Sequence, residues 1–451
     1  MNIKIDSRKI KQNDTFIAVR GVEDDGHKYI EKAIENGATK IIAEEGNYSV
    51  ETIIVDNTRE YLQKYLEDNY LEKIKKIKKI GVTGTNGKTT SCYLTYQLLK
   101  LLGKKAAYIG TIGFYIDEKI KDINNTTPDI YDLYEMFLEC LNQNVEYVVM
   151  EVSSHSLAMN RVKNIEFEYA GFTNLTRDHM DFHITEENYI NAKKQLFFQT
   201  KNFKFINGDD KAYKEFVVND NNILYGFGSH NDLVIKNYNL NIDNSKFEFE
   251  YENKIYNVET NLVGKYNIYN LVLSLLLVNK VGFTIKEILK YSKEIIAPPG
   301  RTESIKYKNN LIIIDFAHTP DAMLNIIENT NLYKQNKVYT IVGCGGDRDK
   351  TKRPIMGDIA TNLSDYVVFT NDNPRTEDEK QIMNDIVSGL KKTNYEVIYD
   401  RKEAIKKGIE LLKENDILLI LGKGHETYQI IGKEKIHFSD TEEVLNYIKG
   451  E

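Results

Sequence analysis

The chain is 451 residues long, 28% of them charged, with a formal net charge of −7. That balance gives no basic field to gather nucleic acid or anionic lipid, so neither a nucleic-acid partner nor a membrane surface is expected. At roughly 100–200 residues per domain the length calls for about two to four cores, and three are expected.

The opening segment, "MNIKIDSRKIKQNDTFIAVRG", lacks the apolar core of a secretion signal. No stretch reaches the roughly 18 consecutive apolar residues of a spanning helix, so a cytoplasmic protein is expected. Cys92, Cys140 and Cys344 are too few and too scattered for a disulfide framework or a cysteine zinc site, and read as reduced space fillers. Within 1–76, "TFIAVRG", "TKIIAEE" and "ETIIVDN" predict strands, and "YIEKAIENGA" a helix that stops at Gly37, which makes a small α/β domain. The basic run "YLEKIKKIKK" (70–79) reads as a solvated helix or linker and carries the first boundary.

Over 77–298, "KIGVTG", "TTSCYLTYQLLKLLG" and "KAAYIGT" form a strand, a Gly-rich turn, a helix and a strand. The alternation continues through "YDLYEMFLECLNQ" and "VEYVVMEVSS", which implies a largely parallel sheet. "SKFEFEYENKIYNVET" alternates with period two and predicts a hairpin, and "YNLVLSLLLVNKVGF" predicts a buried helix. "IIAPPGRTES" places two prolines beside a glycine and marks a second boundary near 298. Over 299–451, "NLIIIDFAH", "KVYTIVGCGGD", "DYVVFTNDN", "YEVIYD" and "DILLILGKGHE" alternate with helical segments. They predict a doubly wound, Rossmann-like domain with ligands at the carboxyl ends of its strands. The expected fold class is α/β in three domains: 1–76, 77–298 and 299–451.

"GVTGTNGKTTS" (81–91) follows a strand and opens a helix, the setting in which a Gly-rich loop turns backbone N–H groups toward phosphate. Gly84, Thr85, Asn86, Gly87, Lys88, Thr89 and Thr90 are therefore candidate ATP contacts. Lys88 would reach the terminal phosphates and the Thr89 hydroxyl would ligate Mg2+. The strict pattern has glycine where Val82 stands, and a GTPase base reader is absent because Asn279-Lys280-Val281-Gly282 lacks its aspartate. Glu151 closes the strand in "VVMEVSSHSL" and is a candidate Mg2+ carboxylate, or else a capping or ion-paired one. His179, in "FTNLTRDHMDFH", is expected at the end of another strand, as a ligand or as an ordinary hydrogen-bonded histidine.

"GVTGTNGKTT", "MEVSSHSL", "FTNLTRDHMDFH", "YINAKKQLF", "GKYNIYN", "DFAHTPDA", "GCGGDRDKTKRPIMG", "DNPR" and "GKGHETY" follow the order and approximate spacing of the Mur ligases. The chain resembles that family over nearly its whole length. "DSRKIKQNDTFIAVRGVEDDGHKYIEKAIENGA" resembles the family's uridine-nucleotide-binding domain. The resemblance implies a ligase of peptidoglycan precursor synthesis. ATP phosphorylates the D-glutamyl γ-carboxylate of a UDP-muramoyl dipeptide, an incoming amine attacks the acyl phosphate, and amide and phosphate are released. It further implies catalytic roles for Lys88, His179 and Lys193, and a metal-ligand set of Thr89, Glu151, His179 and Lys193. Lys193, in the Ala192-Lys193 pair, would carry a CO2-derived carbamate, while Lys194 would remain an ammonium.

The same resemblance assigns Asn267, Asn270, Asp315 and His318 to adenine and ribose, although a buried helix amide or a strand-end cap explains each almost as well. Ser7 would contact the uridine nucleotide. Asn125, Thr126, Thr127, Ser153 and Arg161 would hold the muramoyl peptide, with a plain turn into Pro128 as the alternative for the two threonines. Met159 stands where many relatives have a polar side chain. A monomer is expected.

Family members that add L-lysine and members that add meso-diaminopimelate differ at Asp372-Asn373-Pro374-Arg375. Diaminopimelate is lysine with a second carboxylate at its far end, and a guanidinium clamps a carboxylate with two parallel charge-assisted hydrogen bonds. Arg375 therefore suits the diacid and would repel the lysine ammonium. Arg348 resembles a second carboxylate binder, and Gly422 with Glu426 would receive the distal ammonium. Asn373 and Pro374 form the turn, and Asp372 is a cap or an ammonium partner. A sulfur-bridged diacid such as lanthionine keeps both heads and is not discriminated. The rival readings are a folylpolyglutamate-synthase-like ligase, which should lack the "DSR" domain and the DNPR strand end, and a nucleotide-binding module without ligation.

Overall fold

In the computed structural model residues 1–21, 24–176 and 178–450 are described. The chain forms two compact units. One comprises Met1–Gly81, Lys104–Tyr169 and His179–Asn202, the other Val82–Gly103, Ala170–Asp178 and Phe203–Glu451.

In the first unit, strands Ile3–Lys4, Thr15–Ile17, Lys40–Ala43 and Glu51–Ile54 pair in chain order, all parallel. Their apolar residues pack with Ile30 and Ala33 of the helix Ile30–Glu35, whose continuation is broken at Gly37 with φ 107°. Tyr147–Glu151 runs parallel to Ala106–Gly110, which turns through Gly113–Ile116 and Glu118–Lys121 in an antiparallel meander. Helix Ile130–Asn142 buries Ile130, Leu133, Tyr134, Phe137 and Cys140, a single stripe at helical spacing. The basic run 70–79 is less solvated than its charge suggests. Lys79 falls inside a strand and is buried, its Nζ donating to Ile74 O (2.7 Å) and Ile77 O (2.9 Å), and burial pushes its pKa down to about 8.

In the second unit, strands Tyr169–Phe172, Lys204–Asn207, Asn222–Gly226 and Leu233–Leu240 run parallel. The predicted hairpin then forms from Ser245–Tyr251 and Lys254–Thr260, with Glu252 and Asn253 both at positive φ as a two-residue turn of right-handed twist requires. Helix Lys265–Val281 is buried along most of its length.

The last sheet has the order Glu303–Tyr307, Asn310–Asp315, Ile417–Leu421, Val338–Val342, Tyr366–Phe369, Tyr395–Val397, with all but the first strand parallel. Helices Pro320–Asn331, Lys352–Leu363 and Glu379–Val387 cover one face, and Arg401–Leu411 with Asp440–Lys449 the other, so the sheet is doubly wound. Because the last parallel strand inserts between the first two, the chain direction of winding reverses there, and a crevice opens at the carboxyl edge. The edge strand Glu303–Tyr307 and the hairpin Tyr428–Ile431/Glu434–His437 are additions to the elements read from the sequence. Both are short, and the second strand of the hairpin is exposed on both faces, so it lacks the period-two signal. The three cysteines are buried, and among the described residues no helix is long and apolar enough to cross a membrane.

Candidate active site

Strand Lys78–Thr83 delivers the Gly-rich loop, and helix Lys88–Leu101 leaves it from Gly87 at φ 84°. Gly84 sits at φ 148° so close to Thr173 Oγ1 that any side chain there would collide with it. The loop is bolted to the end of the next strand: Thr85 N donates to Asn174 O (2.8 Å), Asn86 N to Asn174 Oδ1 (2.9 Å), and Thr173 Oγ1 to Asn86 O (2.6 Å). Lys88 folds over its own loop, with Nζ donating to Gly84 O and Thr85 O at 2.8 Å each. Thr89 and Thr90 are buried in the first helical turn. Behind them Asn270 Oδ1 accepts from Ser91 Oγ (3.2 Å), Asn270 Nδ2 donates to Asn267 Oδ1 (3.1 Å), and Asn267 Nδ2 to Val263 O (2.8 Å). Both asparagines thus act as buried helix amides that dock the two helices. Asp315 ends its strand and accepts from Thr302 N (2.7 Å), with burial raising its carboxyl, and His318 Nδ1 donates to Phe316 O (2.7 Å).

Glu151 is fully buried at the end of Tyr147–Glu151. Its Oε1 accepts from Tyr108 OH (2.6 Å) and Thr111 N (2.7 Å), and its Oε2 from Thr111 Oγ1 (3.2 Å). Gly110 permits this approach, since a Cβ there would meet both Glu151 Oε1 and the Tyr108 hydroxyl. The same cluster gathers Thr126, whose Oγ1 lies 3.1 Å from Thr111 Oγ1, and Thr127, whose Oγ1 donates to Glu151 O (2.9 Å) and accepts from Ser153 N (3.0 Å). Arg161 Nη1 donates to Thr127 O (3.1 Å), and its Nη2 lies 3.5 Å from Met159 Sδ. Asn125 is exposed nearby in the chain. Ser7 is buried in the turn Ser7–Lys9, its carbonyl accepting from Asn36 Nδ2 (2.8 Å).

His179 is not at a strand end. The strand stops at Phe172, and His179 caps the short helix Met180–His183 from a left-handed conformation, φ 54°. Its ring lies 4.6 Å from that of His155, which is 5.5 Å from His183, and His183 Nε2 is 2.9 Å from Ser154 Oγ. Burial, then His179 and His183, push His155 down to about 4, so it is neutral at physiological pH. Lys193, on helix Glu186–Phe198, is 1% exposed with Nζ 4.3 Å from the Tyr189 ring centroid, and the Tyr189 and His183 rings are 5.1 Å apart. Lys194 is only half-buried.

At the carboxyl edge of the last sheet, Arg375 has φ 51° and is held by backbone pairing with the hairpin: its N donates to Ile430 O (2.9 Å) and its O accepts from Gly432 N (2.7 Å). The guanidinium Nη1 donates to Gly346 O (2.8 Å) rather than pairing with Glu377 or Asp378. Glu377 is taken instead by the fully buried Arg353, through Nη1 and Nη2 at 2.8 and 2.7 Å, and Arg353 Nη2 also holds Gly345 O (3.1 Å). Arg348 is exposed, Nη1 donating to Asp347 O (3.2 Å). Asn373 and Asp372 are buried, burial raising the Asp372 carboxyl; Gly422 packs its Cα beside that carboxylate, and Asn373 Nδ2 donates to Glu426 Oε2 (2.9 Å). Pro374 is buried between Asn373 and Arg375.

Arg353→Ala removes the charge-assisted hydrogen bonds to Glu377 and Asp385 while Lys350 still reaches Glu377, and is expected to lower unfolding stability by about 2–3 kcal/mol in chemical denaturation. Hydrogen bonding by Arg353, then Lys350, holds Glu377 well below the ordinary carboxylate range. A depressed folded pKa stabilises above the unfolded value and is lost as pH falls through the folded one. The stability difference between native protein and Glu377→Gln is therefore expected at neutral pH and to vanish in strong acid.

The Mur ligase family catalytic domain model matches residues 1–73, the Mur ligase middle domain model residues 82–278, and the Mur ligase glutamate ligase domain model residues 300–424. The UDP-N-acetylmuramoyl-L-alanyl-D-glutamate--2,6-diaminopimelate ligase of Fusobacterium nucleatum is 45% identical over 98% of this chain and 92% of its own. The same-named protein of Clostridium botulinum is 42% identical over 99% and 95%. The chain belongs to the Mur ligase family. A solved structure of a UDP-N-acetylmuramoyl-L-alanyl-D-glutamate--2,6-diaminopimelate ligase superposes with a TM-score of 0.70 at 31% identity, covering 99% of this chain and 94% of that one. In this Mur ligase the motif reading passed over the residues that aim the motifs: Tyr108, Thr111, Thr173 and Asn174. The pair Thr173-Asn174 lay inside a quoted motif, while Tyr108 and Thr111 carry no local signal, being recruited across a sheet.

Proposed function

We propose that the protein joins meso-diaminopimelate to the D-glutamyl γ-carboxylate of UDP-N-acetylmuramoyl-L-alanyl-D-glutamate, with ATP as phosphoryl donor. The observation that carries this reading is the acceptor edge, where Arg375, Asn373 and Glu426 meet at strand carboxyl ends with Arg375 already donating to a neutral carbonyl. Relatives of 42% and 45% identity bear the corresponding name. The domain reading 1–76, 77–298 and 299–451 accompanies it, with uridine nucleotide, ATP and amino acid as the respective ligands. The protein is proposed to act as a monomer in the cytoplasm.

Phosphorylating a carboxylate brings two anions together, so the main demand is electrostatic. Lys88 and the backbone N–H groups opening helix Lys88–Leu101 offset the transferred phosphoryl charge. Thr126, Thr127, Ser153 and Arg161 hold the dipeptide end and Ser7 the uridine nucleotide. Arg375 and Arg348 clamp the distal head of the acceptor, leaving its other amine to attack the acyl phosphate. Divalent metal, when bound, neutralises phosphate oxygens further. Mg2+ is a hard cation that takes oxygen donors from carboxylates, hydroxyls and substrate. Glu151 fits as a fully buried carboxylate at a strand end, its two oxygens oriented by Tyr108 and Thr111. Thr89, His179 and Lys193 are the other proposed metal ligands. Lys193 is proposed to carry a carbamate, which would turn this buried side chain into an oxygen donor.

Phosphate release measured with ATP is expected only when both the UDP-muramoyl dipeptide and diaminopimelate are present. Turnover of ATP without either would defeat the ligase reading.

A further inference from the structure

Lys423 lies between Gly422 and Gly424 and is completely buried, a costly place for an ammonium that lacks partners. Its Nζ donates to Glu426 Oε2 (3.1 Å) and to Asn373 Oδ1 (3.2 Å). Asn373 Nδ2 donates to the same Glu426 oxygen (2.9 Å), and Asn373 Oδ1 also accepts from Ile430 N (3.0 Å). Three side chains thus close a triangle that joins the two segments of the acceptor edge, the one leading into Arg375 and the one bearing Glu426. Glu426 Oε2 is committed to that triangle, whereas Oε1 has the Tyr428 hydroxyl only at 3.5 Å, too long for a good hydrogen bond. Burial raises the adjacent Asp372 carboxyl, and the Lys423 charge is the largest effect opposing it, so the ammonium also separates two neighbouring acids.

We propose that Lys423 is a positioning residue for the acceptor: it pins Glu426 through Oε2, leaves Oε1 for the distal ammonium of a diamino acid, and fixes the Asn373-Pro374 turn from which Arg375 points. This rests on the acceptor edge described under the proposed function. A buried cation held by two partners in the edge itself differs from a general core lysine, because its loss should weaken one substrate and spare the others.

The test is steady-state kinetics of Lys423→Met and Lys423→Gln, each checked for folding by thermal melting, with the three substrates varied in turn. The KM for diaminopimelate is expected to rise about tenfold in Lys423→Met, the effect of losing one charge-assisted hydrogen bond, and less in Lys423→Gln, which keeps a donor. The KM values for ATP and the UDP-muramoyl dipeptide should stay within about twofold. In the double variant Lys423→Met/Glu426→Gln the KM should stay close to that of Glu426→Gln alone, because one acts through the other. An unchanged acceptor KM in a folded variant, a parallel rise in all three KM values, additive effects in the double variant, or failure of both single variants to fold would each overturn the proposal. Should the native enzyme prefer lysine, the diaminopimelate reading fails, yet the KM for lysine still reports on Lys423.

Discussion

Lys193→Ala is expected to lower kcat by about 10²–10³-fold, the size of effect seen when a preorganised charge-stabilising group is lost, with part of the activity restored by acetate or formate. The two neighbouring lysines make this a sharp test. Lys193 is buried beside Tyr189 and in the company of His183, whereas Lys194 is half-exposed on the same helix. If the function of Lys193 were only to fill its pocket, alanine would reduce stability and no carboxylate would restore turnover. If it carries an anionic oxygen donor, a short carboxylate can occupy the space that alanine leaves. Lys194→Ala should leave kcat within about twofold. Full activity of Lys193→Ala would remove the carbamate and the second metal site from the mechanism.

Arg375→Ala is expected to raise the KM for diaminopimelate by about 30–100-fold, the value of a bidentate charge-assisted pair, while lysine becomes a relatively better acceptor. The guanidinium is prepared for this role by backbone rather than by side-chain partners. A residue with a Cβ at φ 51° is strained, and here it is held by the bonds of Arg375 N to Ile430 O and of Gly432 N to Arg375 O. Arg375→Lys should recover part of the loss only, since an ammonium cannot form two parallel bonds to one carboxylate. Equal KM values for diaminopimelate in native and Arg375→Ala enzyme would mean that the acceptor's distal head lies elsewhere.

Much of the fold was legible because its strongest signals are local. The five apolar runs of the last sheet, the hairpin at Glu252-Asn253 and the buried helix Lys265–Val281 each carry their period in consecutive residues. The Gly-rich loop was legible because positive φ at Gly84 and Gly87 forces residue identity. What could not be read is set by contacts across long sequence distance. His179 was misplaced because the apolar run was carried past Phe172, where the strand ends, although Thr173, Asn174, Thr176 and Asp178 already turn the sequence polar before His179. The partners Tyr108 and Thr111 of Glu151 come from a strand and a turn about 40 residues away. Lys79 belongs to a basic run that reads as solvated, and only the carbonyls of Ile74 and Ile77 around it reveal a buried cation. Arg375 stands out in the sequence as a candidate carboxylate clamp, whereas the hairpin that fixes its backbone was not foreseen.

The central claim is that the acceptor edge selects a diamino diacid, and competition among acceptors tests it most directly. Phosphate release would be followed with ATP, the UDP-muramoyl dipeptide and equal concentrations of meso-diaminopimelate, L-lysine or lanthionine. The account predicts efficient turnover with diaminopimelate, comparable use of lanthionine, and kcat/KM for lysine lower by about 10²-fold or more, as expected when a carboxylate clamp meets an ammonium. A preference for lysine would contradict it.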